Sequence, residues 1–486
     1  VKDNKAGNMY RGRSAYIYTC TTILVGKKAT IDGSTMIARN DDTFLPLTPQ
    51  RFEMQQAYSG KKEIWKSNKN GFQAPLPENG YKTTMTPNAD VDKCGVFGES
   101  SINEKNVAMS ATESVYGNEH ALAYDPWVKD GLAEDSLQNM VAPYINSAKE
   151  GVEYLGRLIK KYGSPEGNGV LFSDRDDVWY MEIVTGHHWA ATRIPDDSYA
   201  IAANQVAQDF IDFDDPKNYM WSEGLQEFVE EHHLNPHPET FNFRKIFGTD
   251  NEKDRHYNTP RVWYGQKCFT PDVLQDPQSS DLPFICKANR LLSVEDLEYV
   301  LASHYNETKY DPLGHGSDED KLKFRPISLN RTQNSHVLQI RNDVPEEVSA
   351  LMWICFGIPS FTPYVPFFTN AEDTDDSYSK TPLEYDINSA YWMYRTLSML
   401  TESHYSKFVQ ECRDYLTQAR EQQHRLVEET IQDARNYSGA ELTAFLTKRN
   451  HEMVADMKAR TMSQIGNFIT EGLTLSKLTF NMDINL

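Results

Sequence analysis

A cysteine stands at the head of the apolar run Thr19-Cys20-Thr21-Thr22-Ile23-Leu24-Val25-Gly26. A second run, Ile37-Ala38-Arg39-Asn40-Asp41-Asp42, ends in a guanidinium, an amide and two carboxylates. A thiol is intrinsically nucleophilic, and its thiolate form is favoured beside a cation such as Arg39. Were Cys20 the first residue of a matured chain, its own α-amine would suit the role of general base, since an ordinary α-amine has a pKa of about 7.7–8.0. Asp41 and Asp42 would then bind the nascent ammonium or orient Arg39. Each residue also has a plainer role: free cysteine commonly fills a core as a small hydrophobe, and an acidic pair commonly caps a turn.

These residues work together only if the chain folds them to one place. Alternation along both runs, with Asp32-Gly33 between them, predicts a β-hairpin that brings Cys20 and the 39–42 cluster to the same end of a sheet. Residues 96–101 and 107–113 read as a second hairpin across Asn103-Glu104-Lys105-Asn106. Residues 137–162 have helical periodicity and close at Gly163. Four short strands at 169–173, 178–185, 189–193 and 198–203, parted by Asp-, Gly- and Pro-containing turns, read as an antiparallel meander. Residues 206–290 show no clear period. A capped helix is predicted over 293–303, with Ser293 and Asp296 as a capping-box variant, and strands over 335–341 and 350–356. From 386 to about 472 the chain reads as helical, with Phe408, Tyr415 and Leu416 at helical spacing and a second capping box at Ser438-Gly439-Ala440-Glu441. Antiparallel strands with segregated helices predict an α+β layered fold.

The stretch from Cys20 to Asp42 resembles the start of the mature chain in the bacterial dipeptidase A family. These are cysteine peptidases of the N-terminal nucleophile (Ntn) hydrolases, related to bile-salt hydrolases and penicillin V acylases. The Cys-Thr-Thr strand, the Lys-rich Asp-Gly-Ser turn and the Ala-Arg-Asn-Asp-Asp segment are all present, and weaker similarity extends over most of the chain. The resemblance implies a four-layer αββα sandwich whose nucleophile begins a central strand, with a helical C-terminal region. It also implies a leader, residues 1–19, removed by autocatalytic cleavage, and a peptidase domain over 20–486 that is helical from about 386. The leader holds Lys2, Lys5, Arg11 and Arg13 without the apolar core of a secretory signal; Met9 would serve as a natural start.

The same resemblance nominates further residues. The related amidases carry an Arg-Asn-x-Asp pattern that maps onto Arg39, Asn40 and Asp42 and favours Asp42. A regular strand, however, puts Asp41 on the face of Arg39. Asn204, in Ala202-Ala203-Asn204-Gln205, matches an oxyanion-hole asparagine at a strand end; taken alone it would read as a turn residue. Glu113 falls where the amidases have another asparagine, and is expected to bind the free amino group of a dipeptide. Arg331, in Asn330-Arg331-Thr332-Gln333, is expected to complete the cluster or hold a substrate carboxylate.

Composition bounds the remaining classes. The 486-residue chain has a formal net charge of −21, which argues against nucleic acid and anionic membrane as partners. No run approaches the length of a membrane span. Six cysteines without close pairs fit a reducing cytosol and suggest no zinc or redox motif. His187-His188 and Glu231-His232-His233 invite a metallopeptidase, but HExxH is absent and adjacent strand residues point to opposite faces. Gly-x-Ser-x-Gly, Walker A and GxGxxG motifs are also absent. The reading is hydrolysis of dipeptides through a thioester, without metal or organic cofactor. The expected partners are small peptide substrates and other copies of the chain. An amidase acting on N-acylated amino acids or penicillin-type substrates, and a non-enzymatic interaction protein on the same fold, are the alternatives.

Overall fold

A computed structural model describes residues 19–43, 45–113, 115 and 117–475. The hairpin at the head of the chain is formed by β1 (Thr19–Val25) and β2 (Thr35–Asp42), antiparallel, with Cys20 opposite Asp41 and Val25 opposite Met36. Gly33 takes φ 74° in the turn, a left-handed conformation that glycine adopts without steric cost.

The remaining strands of the two large sheets are β3 (Ser100–Ile102), β4 (Ala108–Glu113), β5 (Asn168–Ser173), β6 (Val178–Ile183) and β7 (Trp189–Arg193). They continue with β8 (Tyr199–Ala202), β9 (Tyr219–Trp221), β10 (Ile285–Cys286), β11 (Thr332–Ile340), β12 (Ala350–Phe356) and β13 (Val365–Phe368). A seven-stranded sheet runs β10-β8-β1-β2-β11-β12-β13 and a six-stranded sheet runs β9-β7-β6-β5-β4-β3.

The predicted meander therefore divides. Its first three strands pair in order, but the fourth, β8, crosses to the other sheet and lies beside β1, while β9 takes the place next to β7. The link begins at Pro195, which has no amide to donate to a ladder. The carbonyl of Asp196 instead accepts from the amides of Lys28 and Ala29, at 2.7 and 3.1 Å, drawing β8 to the hairpin.

Alternation sorts the side chains into layers. Leu24, Ile37, Leu338 and Met352 of the seven-stranded sheet meet Leu171 and Tyr180 of the other. The outer face of the six-stranded sheet, with Val170, Phe172, Trp179 and Met181, packs on α1 (Glu134–Val141) and α2 (Ala148–Tyr162). Ile23, Val25 and Ala38 face α3 (Thr259–Phe269) and α4 (Val294–Leu301) on the other side. The result is the αββα order the resemblance implies, with β2 buried along its whole length. The C-terminal helices α5 (Ala390–Ser403), α6 (Tyr405–Ala434) and α7 (Gly439–Thr474) extend the outer layer beside β12 and β13.

The single helix predicted over 137–162 is two. Pro143 interrupts it, and the Ser147 hydroxyl caps α2 by accepting from the Glu150 amide at 3.1 Å. Gly163, at φ 69°, ends it as expected. The Ser293 amide donates to the Asp296 carboxylate at 2.9 Å, as the capping box requires, whereas Ser438 starts α7 without a side-chain cap bond. No helix among the described residues is long and apolar enough to cross a membrane.

Candidate active site

Cys20, Thr22 and Leu24 of β1 point toward the six-stranded sheet, and their ladder partners Asp41, Arg39 and Ile37 on β2 do the same. Arg39 is fully buried and each arm of its guanidinium is engaged. Nη1 donates to Cys20 Sγ at 3.0 Å, Nε to Ser110 Oγ on β4 at 3.0 Å, and Nη2 to the Glu99 main-chain oxygen at 3.2 Å. Nη2 also forms an ion pair with the Glu99 carboxylate, and Glu134 Oε1 on α1 lies 4.0 Å from Nη1. Phe97 packs against Cys20. His336 Nδ1 donates to Asn334 Oδ1 at 2.9 Å, so its Nε2 accepts from the Ser110 hydroxyl at 2.9 Å. Gln50 and Asn334 both donate to Asp41 Oδ2.

Burial dominates the protonation of this cluster. It pushes the Cys20 thiol up to about 11; Arg39 works against that rise, while Asp41, Asp42 and Glu99 add to it. With Thr19 attached, the thiol is therefore protonated at neutral pH. Burial also raises Asp41 to about 6, against the pull of Arg39. Glu99 is raised by burial and by the charge of Asp41. Burial opposes the charge of Arg39, but Glu99, Cys20, Asp41 and Glu134 together outweigh it and hold the guanidinium charged. His336 is driven down by burial and by Arg39, and is neutral.

The opposite face of the hairpin carries Thr21, Asn40 and Asp42. Asn40 Nδ2 donates to Leu301 O at 2.8 Å, tying β2 to the end of α4. Asp42 lies across the ladder from Thr19, forms an ion pair with Arg325 and accepts from the Thr332 hydroxyl. The two terminal nitrogens of Arg261, in the first turn of α3, span four acceptors: Cys20 O at 2.6 Å, Thr21 Oγ1 at 2.9 Å, Asn204 Oδ1 at 2.6 Å and Asn258 Oδ1 at 2.8 Å. Burial and the neighbouring Arg325 pull its pKa down to about 10. The β1–β8 register, Thr22 opposite Ala202, carries on to set Asn204 opposite Cys20 just past the end of β8. Arg325 and Arg261 stand over the Tyr257 ring at 5.2 and 5.4 Å, and Arg331 Nη2 reaches the Tyr257 hydroxyl at 3.4 Å.

Of the residues nominated from sequence, Cys20, Arg39, Asp42 and Asn204 thus gather at one end of the hairpin. Asp42 is on the face away from the thiol and Asp41 on the thiol's own face. Arg331 joins the Asp42 side through Tyr257. Glu113 ends β4 opposite Asn168, and its side chain lies outside the described residues, as do residues 1–18 of the expected leader. Glu99, Ser110, His336 and Arg261 were not anticipated. Only Arg261 carried a local signal, a cation within the bulky run Thr259-Pro260-Arg261-Val262-Trp263-Tyr264. His187 bonds Asp125 and His188 bonds Ser222, and no group of three His, Cys, Asp or Glu among the described residues is placed to hold a metal ion.

Residues 19–418 match the model of the family described as Peptidase family C69. A "Probable dipeptidase" of Latilactobacillus sakei is 56% identical over 467 residues, covering 96% of this chain and 98% of its own. "Dipeptidase A" of Lactobacillus helveticus is 39% identical over 95% of this chain and 98% of its own. Among solved structures, a cysteine-to-alanine mutant of the conjugated bile acid hydrolase from Clostridium perfringens aligns over 70% of this chain and 89% of its own. Its sequence identity is 9% and its TM-score 0.27, too loose a superposition to carry residue roles.

Proposed function

Since the chain belongs to peptidase family C69, we propose that it is a dipeptidase whose nucleophile is the thiol of Cys20, exposed as the first residue by cleavage of the Thr19–Cys20 bond. The observation that carries this reading is the 3.0 Å bond from Arg39 Nη1 to Cys20 Sγ, a buried cation set on the one thiol that opens a central strand. In the uncleaved chain, Sγ gives up its proton and attacks the Thr19 carbonyl carbon; the C–N bond breaks, the proton going to the departing nitrogen, which becomes the free α-amine of Cys20, and water then hydrolyses the remaining thioester to release the leader and the thiol.

That amine supplies what the buried thiol lacks, a base of suitable pKa within its own residue. It takes the Sγ proton as the thiolate attacks the scissile carbonyl, then passes the proton to the departing amino group of the second residue. Water, activated by the same amine, cleaves the acyl-enzyme thioester. Arg39 stabilises the thiolate. Asn204 donates to the oxyanion; Arg261 holds its Oδ1 and so turns its Nδ2 away from the guanidinium. Asp42 lies across from the residue whose removal uncovers the amine, and is assigned to hold that amine. Arg331 is assigned to the substrate's terminal carboxylate.

N-terminal sequencing together with kinetics tests the reading. Purified active protein should begin at Cys20, hydrolyse Ala-Leu, keep its activity in EDTA and lose it to iodoacetamide, with the adduct mapped to Cys20. Full activity in a chain still carrying Thr19 would remove the amine from the mechanism. Loss of activity to EDTA that zinc restores would replace the thiol with a metal.

A further inference from the structure

We infer that Glu99 and Asp41 together form the subsite that receives the α-ammonium of the dipeptide's first residue, an inference that rests on Cys20 being the nucleophile of a dipeptidase. The argument begins with the substrate's covalent structure. The carbonyl that Sγ attacks is bonded to the Cα that bears the ammonium, so the ammonium is two bonds from the reacting carbon. Its anion must therefore lie on the thiol's own face of the hairpin, within contact of the thiol's surroundings.

Asp41 meets this condition as the residue directly across the ladder from Cys20 on that face. Glu99 meets it through the guanidinium of Arg39, which holds Sγ by Nη1 and the Glu99 carboxylate by Nη2. Asp42 does not, since it projects from the other face and is engaged by Arg325 and Thr332. Glu113, first expected in this role, is at the end of β4.

Both carboxylates are anchored by one oxygen and offer the other. Asp41 Oδ2 is held by Gln50 and Asn334, and the Glu99 ion pair uses Oε2. Asp41 Oδ1 and Glu99 Oε1 are buried and have no hydrogen-bond donor among the described residues. A buried carboxylate oxygen left without a donor is costly, and an ammonium with three N–H groups is the donor that offsets it. The local composition agrees: Glu99 and Glu134 both lie against the one guanidinium of Arg39 while Asp41 sits beside them, so carboxyl groups outnumber the cation they share.

The backbone that delivers Glu99 supports a dedicated role. Phe97 and Glu99 have φ of 45° and 51°, in the left-handed region that bulky residues avoid. This segment sets the Phe97 ring against Cys20 and the Glu99 carboxylate on Arg39. A free ammonium would satisfy both oxygens, and an acylated amine would leave both unsatisfied.

Ala-Leu and propionyl-Leu, which differ only by the ammonium, provide the test. The parent enzyme should favour Ala-Leu in kcat/KM by roughly ten- to a hundredfold, the worth of one charge-assisted hydrogen bond. Glu99→Gln and Asp41→Asn should each collapse that ratio toward unity, chiefly through the KM of Ala-Leu. A change that merely misplaced Arg39 would slow both substrates alike and leave the ratio intact, and that outcome overturns the inference. So does a ratio near unity in the parent, or a ratio lost in Glu113→Gln and kept in the other two. If the variants do not fold, inhibition of the parent decides: L-leucinamide should bind at least tenfold tighter than isocaproamide, and equal inhibition overturns the assignment. Failure of the parent to hydrolyse either substrate with Cys20 exposed counts against the dipeptidase reading instead.

Discussion

Arg261 donates to the main-chain oxygen of Cys20 at 2.6 Å, although the two residues are 241 positions apart in sequence. The β1–β8 ladder begins at Thr22, so the Cys20 carbonyl lies beyond its last pair, and the guanidinium takes the place of the missing strand. The same group holds Asn204 Oδ1. One side chain thereby fixes both the strand end that carries the nucleophile and the amide assigned to the oxyanion.

Replacing Arg261 by lysine should lower kcat by about a hundredfold, because a single ammonium cannot bridge four acceptors in the plane of a guanidinium. KM should move only a few-fold. Steady-state kinetics on Ala-Leu, with circular dichroism as a check on folding, would settle the matter, and a kcat equal to the parent's would reduce Arg261 to a packing role.

Asn204→Ala tests the oxyanion donor itself. Loss of one preorganised donor is expected to cost about 10²–10³ in kcat with KM nearly unchanged. A variant that raises KM while keeping kcat would place Asn204 in substrate binding.

Cys20→Ala should abolish both release of the leader and dipeptide hydrolysis, leaving the far-ultraviolet spectrum and thermal midpoint close to the parent's, because the side chain is small. Intact mass reports the first effect and a peptidase assay the second. Cys20→Ser is expected to cleave slowly and hydrolyse poorly. Hydrolysis surviving in the alanine variant would move the nucleophile elsewhere, with Thr21 next in line.

Stability should fall as pH rises. Glu182 accepts from the amides of Ala207 and Gln208 at 2.7 and 3.2 Å, just beyond Asn204, and burial pushes its pKa up to about 7. Burial lifts Glu298 on α4 to about 7 as well. Both folded values exceed the glutamate value of about 4.3 expected in the unfolded chain. Their contribution is therefore complete below the unfolded value and is lost as pH climbs through about 7, at about 1.4 kcal/mol per group for each pH unit. Scanning calorimetry should find the midpoint several degrees lower at about pH 8 than at about pH 5.5. A midpoint that rises over this interval would mean that these carboxylates are charged in the folded protein.

What could be read from sequence was whatever is local. The β1–β2 hairpin depends on alternation and a glycine turn within one short stretch, and it brought Cys20 and Arg39 together without knowledge of the rest. The C-terminal end of α2 and the start of α4 were legible because caps are written within a turn of the residues they serve. The route of β8 was not, since residues 198–203 alternate equally well in either sheet, and the choice is made by hydrogen bonds from Lys28 and Ala29 to Asp196. Glu99 and Ser110 were hidden for a similar reason: each is an ordinary polar residue until Arg39 is folded against it. The choice between Asp41 and Asp42 turned on which face of β2 the thiol shares. The pairing of Cys20 with Asp41 answers that for the thiol, while Asp42 remains across from the residue that precedes it.

The crossing of β8 between the sheets has a consequence for when the chemistry becomes possible. Thr22 and Ala202, joined by a side-chain bond, are 180 residues apart, and closing a loop of that size is a late event in folding. A nascent chain emerging from the ribosome soon contains Cys20 and Arg39, yet Asn204 and Arg261 have not been synthesised. The proposed dipeptide hydrolysis, which draws on Asn204 and Arg261, is in this way coupled to completion of the fold.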